Sequence, residues 1–377
     1  MGATLPLKRS RKYLWQSGTR SEGRSAALVC DRHNNACGRR TRGLSIAAAS
    51  RPRFINSCMG HPKVQHYVPQ FLLRGFVRGT KKQLHVFDKQ TGQTFSTKPH
   101  NVAGETGFYD IEIPEGVLTM EPTMGHIESA AAGVIDRVRK DESFTSLSEE
   151  DRIILALFVA VQHLRTQQFR ANLLDMDRQL QRILGERGGD VNNVRNYTPL
   201  RGAEDVKAAS MGMLPGLAVA LLPHILDKTW LLLRASPETP FIIGDNPVAL
   251  DNQHDFGFYG NIGFGVHGIE IYMPISDTLS GYFLCPSHSE SFARSFATLE
   301  ELRTVTPDHP EVQRLQQRVG PMFAALHQGV PLPCSSDVIL RHNSLQVLYA
   351  ERWLFSPNDN FELPNRMIAD NPNRLLK

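Results

Sequence analysis

The eleven residues His66-Tyr67-Val68-Pro69-Gln70-Phe71-Leu72-Leu73-Arg74-Gly75-Phe76 restrict this chain more than any other stretch. Pro69 drives Val68 into an extended conformation and is a favourable opening residue for a helix. Gly75 supplies a stop about one and a half turns later. The pattern predicts an extended approach, a short helix and a left-handed exit. His66 then lies just before the helix and Gln70 in its first turn, where free backbone N–H groups face outward. Polar chemistry meets the core here.

The remainder of the chain divides by charge. Residues 1–58 hold twelve Lys or Arg and two acids, a net +10 within a total of +4. The rest of the chain is therefore at −6, which disfavours stable binding of long nucleic acid. A small anionic ligand in a local basic pocket remains compatible with that balance. Residues 1–58 show no helical or strand periodicity and read as a disordered basic N-terminal leader. Their Arg- and Ser-rich, acid-poor composition is that of an organellar transit peptide. A mis-called start fits as well, because Met59 stands just ahead of His66.

Of five cysteines, Cys30, Cys37 and Cys58 fall in the leader, leaving Cys285 and Cys334 far apart. That is no disulfide framework, and it favours a reducing compartment, the cytoplasm, with organellar import as the variant if the leader is real. Cys30-x-x-His33-x-x-x-Cys37 lacks a fourth zinc ligand at a standard spacing. No run reaches the roughly 18 uninterrupted apolar residues of a membrane span. The nearest, Met211 to Leu226, is cut by Pro215, Pro223 and His224, so no membrane partner is expected. Nothing in the sequence sets an oligomeric state.

Periodicity predicts an α+β fold, a single mixed domain over residues 59–356 with a helical middle and short antiparallel strands. Residues 357–377 read as a C-terminal tail. Strands are expected over 83–88 and 93–97 about a Thr91-Gly92 turn, and over 107–113. Helices follow over 121–140, from a capping-box-like Ser148 start to about Gly185, and over 206–226. Strands over 229–234 and 241–243 are expected to be joined by a Pro-containing turn. Two further strands, over 269–275 and 281–284, precede helices over 311–326 and 337–354.

Several pieces, in order, resemble the family called domain of unknown function 4238. His66-Tyr67-Val68-Pro69-Gln70-Phe71-x-Leu73-x-x-Phe76 is similar to its opening signature. Val102-Ala103, Phe108-Tyr109 and Ile127-Glu128 follow, then Gln162-x-x-Arg165-Thr166 in a helix. Phe241-Ile242-x-x-Asp245-Asn246-Pro247-Val248 is similar to its strand-and-turn element, and Asn343 falls where the last helix tends to carry an asparagine. The likeness spans about residues 61–352. Gly244 departs from it, standing where a serine or threonine is expected. The resemblance implies a fold and candidate positions but no reaction.

Those positions have physical readings of their own. His66 is a general base or ligand, or a histidine bonded to a backbone carbonyl. Gln70 is a cap or surface partner of Arg74 unless it faces His66. Glu128 sits one position off the apolar stripe of its helix, where a solvated acid is the blander reading. Gln162 and Arg165 interrupt an apolar helix and must find partners. Arg165 holds Glu128, Asp245 or an anionic ligand. Asp245-Asn246-Pro247 ends a hydrophobic strand, as a site or as a capping turn.

No Walker loop, His-Glu-x-x-His, Gly-x-Ser-x-Gly or helix-opening Gly-x-Gly-x-x-Gly is present. The expectation is therefore a soluble intracellular protein with one polar pocket. His66, Glu128 and Asp245 are the candidate catalytic residues. Gln70, Gln162, Arg165, Asn246 and Asn343 are the candidate ligand contacts. One histidine with two carboxylates suits hydrolysis of a phosphoester or nucleotide-like anion, by acid–base chemistry or with a divalent metal. The alternative is a non-catalytic ligand-binding or structural protein, the same residues forming a buried hydrogen-bond network.

Overall fold

In a computed structural model the described residues are 53–55 and 63–375, apart from Asn196, Pro237, Asp255 and residues 257–259. Arg53–Ile55 form β1 and Val64–His66 form β2. Gln70–Leu73 form α1 behind Pro69, and the turn runs on as a 3-10 segment over Arg74–Phe76. The left-handed exit does not occur, since Gly75 takes no positive φ. A Cβ at Gly75 would lie 2.4 Å from the Ile275 carbonyl oxygen and 2.6 Å from the Arg139 guanidinium. Glycine serves close approach here, not backbone handedness.

β3 (Leu84–Asp88) and β4 (Thr94–Thr97) make the expected hairpin, with Gly92 at φ +71 in its turn. β5 (Gly104–Thr106) pairs antiparallel with β2 and sets Gly104 opposite His66. β6 (Asp110–Ile113) and β7 (Gly116–Thr119) form a second hairpin, and β1 adds to β7. Three residues of the stretch read as a leader without pattern are thus a strand. Three residues carry too little alternation to register as periodic. The rest of 1–58 lies outside the described residues.

α2 (Glu121–Asp141) buries Met124, Ala131, Val134, Ile135 and Val138. α3 (Glu149–Leu164) opens on a complete capping box between Ser148 and Asp151. The single helix expected to reach Gly185 is broken after Leu164. Arg165 leaves helical geometry, and Thr166 caps α4 (Gln167–Glu186) by accepting from the Phe169 N–H at 3.2 Å. A threonine that can bond the backbone competes with helix continuation. α5 (Ala203–Leu226) accommodates Pro215 and Pro223 and places Met211, Leu214, Ala218 and Ile225 in the core. Among the described residues α5 is long and apolar enough to cross a membrane by length and composition, with 28% of its span buried. An uninterrupted apolar run was the stricter criterion, and the prolines do not stop the helix.

β8 (Thr229–Arg234), β9 (Ile243–Gly244), β10 (Ala249–Asp251), β11 (Glu270–Pro274) and β12 (Leu279–Leu284) follow. Then come α6 (Pro286–Val305), α7 (Pro310–Gln328), β13 (Leu332–Pro333), α8 (Ser336–Tyr349), β14 (Trp353–Ser356), α9 (Glu362–Asp370) and α10 (Pro372–Leu375). One sheet has the order β10-β11-β12-β8-β13, antiparallel except for the β13–β8 edge. Another has the order β4-β3-β14-β9, antiparallel throughout. β8 and β9, expected to be joined by a Pro-containing turn, belong to different sheets.

The architecture is α+β, as expected. α6 escaped the sequence reading because it buries little, Leu299 alone along its length. The helix expected to run to Leu354 ends at Tyr349 and the chain turns into β14. The supposed tail is helical, and Phe361 at the head of α9 packs with Phe87, Ile242, Val347, Ala350 and Leu354 in a small second cluster.

Candidate functional site

The signature stretch is held from behind by a buried polar network. Gln162, fully buried in α3, donates from Nε2 to the Tyr67 carbonyl at 2.9 Å. Its Oε1 accepts from Arg165 Nε at 2.9 Å and Nη2 at 2.6 Å. Arg165 Nη1 reaches Glu128 Oε1 at 2.6 Å, with side-chain exposures of 0% for the arginine and 26% for the glutamate. Burial works against the Arg165 charge, but Tyr109 and Glu128 outweigh it and its pKa stands above the ordinary value. The Tyr109 hydroxyl donates to the His66 carbonyl at 3.1 Å. A break in the helix at Arg165 is what lets a guanidinium point into the core.

His66 itself donates from Nε2 to the His100 carbonyl at 3.3 Å. Burial lowers its pKa, the carbonyl bond and the Glu128 charge opposing. Gln70 is half-buried, and among the described residues its side chain makes only a long contact, 3.5 Å, from Arg74. Beside this group stands Glu121, which the sequence did not single out. Burial, then the neighbouring Glu128 charge, raise its carboxyl to about 7, with Arg165 opposing.

That shift carries a pH dependence. A carboxyl at 4.5 when unfolded and about 7 when folded makes folding less favourable as pH rises between those values. Glu121→Gln should therefore stabilise the protein above pH 7 by about 1–2 kcal/mol, after discounting for the screening of a half-exposed group. Below about pH 4.5 the variant and parent should agree. Urea unfolding at acid and at slightly alkaline pH reads this directly, and a variant less stable than the parent at pH 8 would overturn it.

Asp245 belongs to a second group. Its Oδ1 accepts from the Glu351 N–H and its Oδ2 from those of Arg352 and Trp353, each at 2.8 Å. Burial pushes the carboxyl up to about 6, and these three N–H groups and Lys89 pull against it. The candidate catalytic acid is thus the clamp of the turn between α8 and β14. Asn343 accepts from the Ile242 N–H at 3.1 Å and donates to the Pro240 carbonyl at 2.9 Å. One turn on, Gln346 accepts from the Gly244 N–H at 2.9 Å and donates to the Pro247 carbonyl at 3.1 Å. A Cβ at Gly244 would sit 3.1 Å from both the Ala350 Cβ and the Gln346 carbonyl oxygen, so the departure from serine or threonine fits tight packing. Asn246 is buried, and its Oδ1 has no partner among the described residues.

Between the two groups lies a cleft of about 480 Å³ lined by Tyr67, Gln90, Gly104, Glu105, Gln167, Glu351, Arg352 and Trp353. None of the eight residues expected from the sequence lines it. They hold the elements that do: Gln162 fixes Tyr67, His66 pairs β2 against Gly104 in β5, and Asp245 fixes residues 351–353. Gln167 follows the Arg165-Thr166 break and donates to Glu105 at 3.0 Å.

Two of the cleft's donors without a partner among the described residues belong to Tyr67 and Arg352. Tyr67 is 2% exposed, and its hydroxyl has no hydrogen-bond partner among the described residues. Burial, then the charges of Asp245 and Glu105, hold the phenol's pKa up, with Arg352 opposing. Arg352 gives Nε and Nη2 to Asp88 at 3.2 and 2.8 Å, and its Nη1 is unengaged among the described residues. Its guanidinium also stacks over Trp353 at 4.3 Å. Glu105, Gln167, Glu351 and Arg352 were missed because the last two were read as the surface of a continuing helix. The one available signal was a charged pair just before an apolar strand.

Among the described residues no group of three or more His, Cys, Asp or Glu side chains is placed to hold a metal ion. The divalent metal allowed by the sequence finds no donor set there.

No curated protein and no solved structure matches the chain. The family described as "Protein of unknown function (DUF4238)" matches it over residues 64–360. That match runs from the strand carrying His66, through the Gln162–Arg165 and Asp245 elements, past the turn bearing Arg352. The chain belongs to DUF4238.

Proposed function

We propose that this protein binds a small polar molecule in the cleft between Tyr67 and the Glu351–Trp353 turn, without turnover as its primary role. The observation that carries this reading is the Tyr67 hydroxyl, which opens onto the cleft from an otherwise buried side chain and has no partner among the described residues. A donor that meets only cleft water is free to exchange it for a ligand acceptor, at a net gain of about 0.5–1.5 kcal/mol. The buried networks around Arg165 and Asp245 then serve as the rigid frame.

Hydrolysis of a phosphoester has one observation in its favour. Glu121, held near 7 beside Glu128, is poised for proton transfer at neutral pH. Against it, the Arg165 donors meant for a phosphate are committed to Gln162 and Glu128. Binding is the reading adopted.

The test is a thermal-shift screen of small metabolite-like molecules against the protein and Tyr67→Phe. The variant should keep the parent's unliganded melting temperature, because the deleted hydroxyl bonds nothing among the described residues. It should lose about tenfold in affinity for whatever binds the parent, the worth of one hydrogen bond of ~1.4 kcal/mol. Ligands that bind both forms equally would place the site elsewhere.

A further inference from the structure

We infer that the ligand of this cleft is a small zwitterion, carrying a protonated amine at one end and a carboxylate at the other, of the size of a free amino acid. The inference rests on the cleft being the ligand site, and follows from what its walls offer. Two carboxylates line it, Glu105 and Glu351. Glu105 accepts one bond, from Gln167, on Oε2. Glu351 makes no side-chain hydrogen bond or ion pair among the described residues. The single cation of the lining, Arg352, is already paired with Asp88, whose side chain is only 6% exposed.

An anion alone would meet two carboxylates and a guanidinium whose charge is largely answered. Like charges at close range in a partly desolvated cleft are costly. This bears against the purely anionic ligand expected from the sequence. A cation alone satisfies Glu105 and Glu351 but leaves the Tyr67 hydroxyl and Arg352 Nη1 without acceptors. The Arg352 side chain is 40% exposed and the hydroxyl opens onto the cleft, so both donors are free to take a ligand acceptor in place of water. A molecule with both groups serves the two carboxylates and these two donors together, its amine toward Glu105 and Glu351, its carboxylate toward Tyr67 and Arg352. The phenol is held protonated, so at neutral pH it presents a hydrogen to that carboxylate. The cleft's volume, about 480 Å³, lies in the range of roughly 300–1,000 Å³ usual for small-molecule sites.

The experiment is calorimetric titration of the full chain with free L-amino acids, with n-alkylamines and n-alkanoates of matching length, and with inorganic phosphate. At least one amino acid should saturate the protein, and the matching amine and alkanoate should each bind at least about tenfold more weakly. Glu351→Gln should weaken amino-acid binding by about tenfold, as should Tyr67→Phe. Both variants should keep the parent's unfolding midpoint, since neither side-chain group has a partner to lose. Alkanoate or phosphate binding as tight as any amino acid, tighter anion binding by Glu351→Gln, or no amino-acid binding overturns the zwitterion. If the anions that bind are weakened by Tyr67→Phe, the cleft stands as the site and only the ligand class falls. Binding indifferent to both substitutions removes the cleft as well.

Discussion

Replacing Arg165 by alanine is expected to cost about 3–5 kcal/mol of stability at neutral pH, the range for breaking one side of a buried ion pair. The reason lies in what it leaves behind. Glu128 loses the one ion-pair partner it has among the described residues, and Gln162 Oε1 loses both of the donors it accepts from in a fully buried position. Gln162 still holds the Tyr67 carbonyl, so the disturbance runs straight to the cleft wall. Urea unfolding of Arg165→Ala and Glu128→Gln against the parent separates the parts. The second change should cost less, because a glutamine oxygen can still accept from Arg165 Nη1 and both bonds to Gln162 remain. A loss under about 1 kcal/mol for Arg165→Ala would mean the network does not hold the fold.

Asp245→Asn should lower stability by about 2 kcal/mol at pH 7, the net of two opposed effects. An amide has one acceptor oxygen, whereas the carboxylate uses both for the N–H groups of Glu351, Arg352 and Trp353. Whichever way the amide turns, its NH₂ faces at least one backbone N–H. Relief of the buried charge works the other way, since burial already lifts the carboxyl to about 6. The signs give a second readout. A folded carboxyl raised from 3.8 to about 6 makes the parent lose stability as pH rises through that window, and the variant lacks this slope. The gap between parent and variant should therefore be widest near pH 4 and narrow to its neutral value above pH 6. A variant as stable as the parent across the range would show that the turn does not depend on this carboxylate. Since the turn presents Glu351 and Arg352 to the cleft, the same variant is expected to bind ligand more weakly.

Both predictions concern residues that the sequence marks as chemically unusual. Gln162, Arg165 and Asp245 stand out because polar side chains amid apolar neighbours must be paired. A sequence does not say whether the partner is a ligand or the backbone of a distant segment. For Asp245 the partners lie about a hundred residues away, in a turn. For Asn343 they are the carbonyl of Pro240 and the N–H of Ile242.

The chain's own residues determined the local elements with strong period or strong punctuation. The hairpin about Gly92, the capping box of Ser148, the apolar stripe of α2 and the strand of Trp230 to Leu233 all follow from near-neighbour physics. Pro69 likewise placed the start of α1. Tertiary structure decided the rest. Gly75 is there for the approach of Ile275 and Arg139, which no local rule anticipates. The helix beginning at Glu149 stops at Leu164 because Arg165 finds Gln162 and Glu128 in the interior, although its apolar stripe continues. The helix beginning at Ser336 gives way to β14 because Asp245 and Lys89 clamp its end from another part of the chain. The cleft itself was invisible for the same reason: Tyr67, Glu105, Gln167 and Arg352 share no spacing, and long-range hydrogen bonds alone bring their elements to one place.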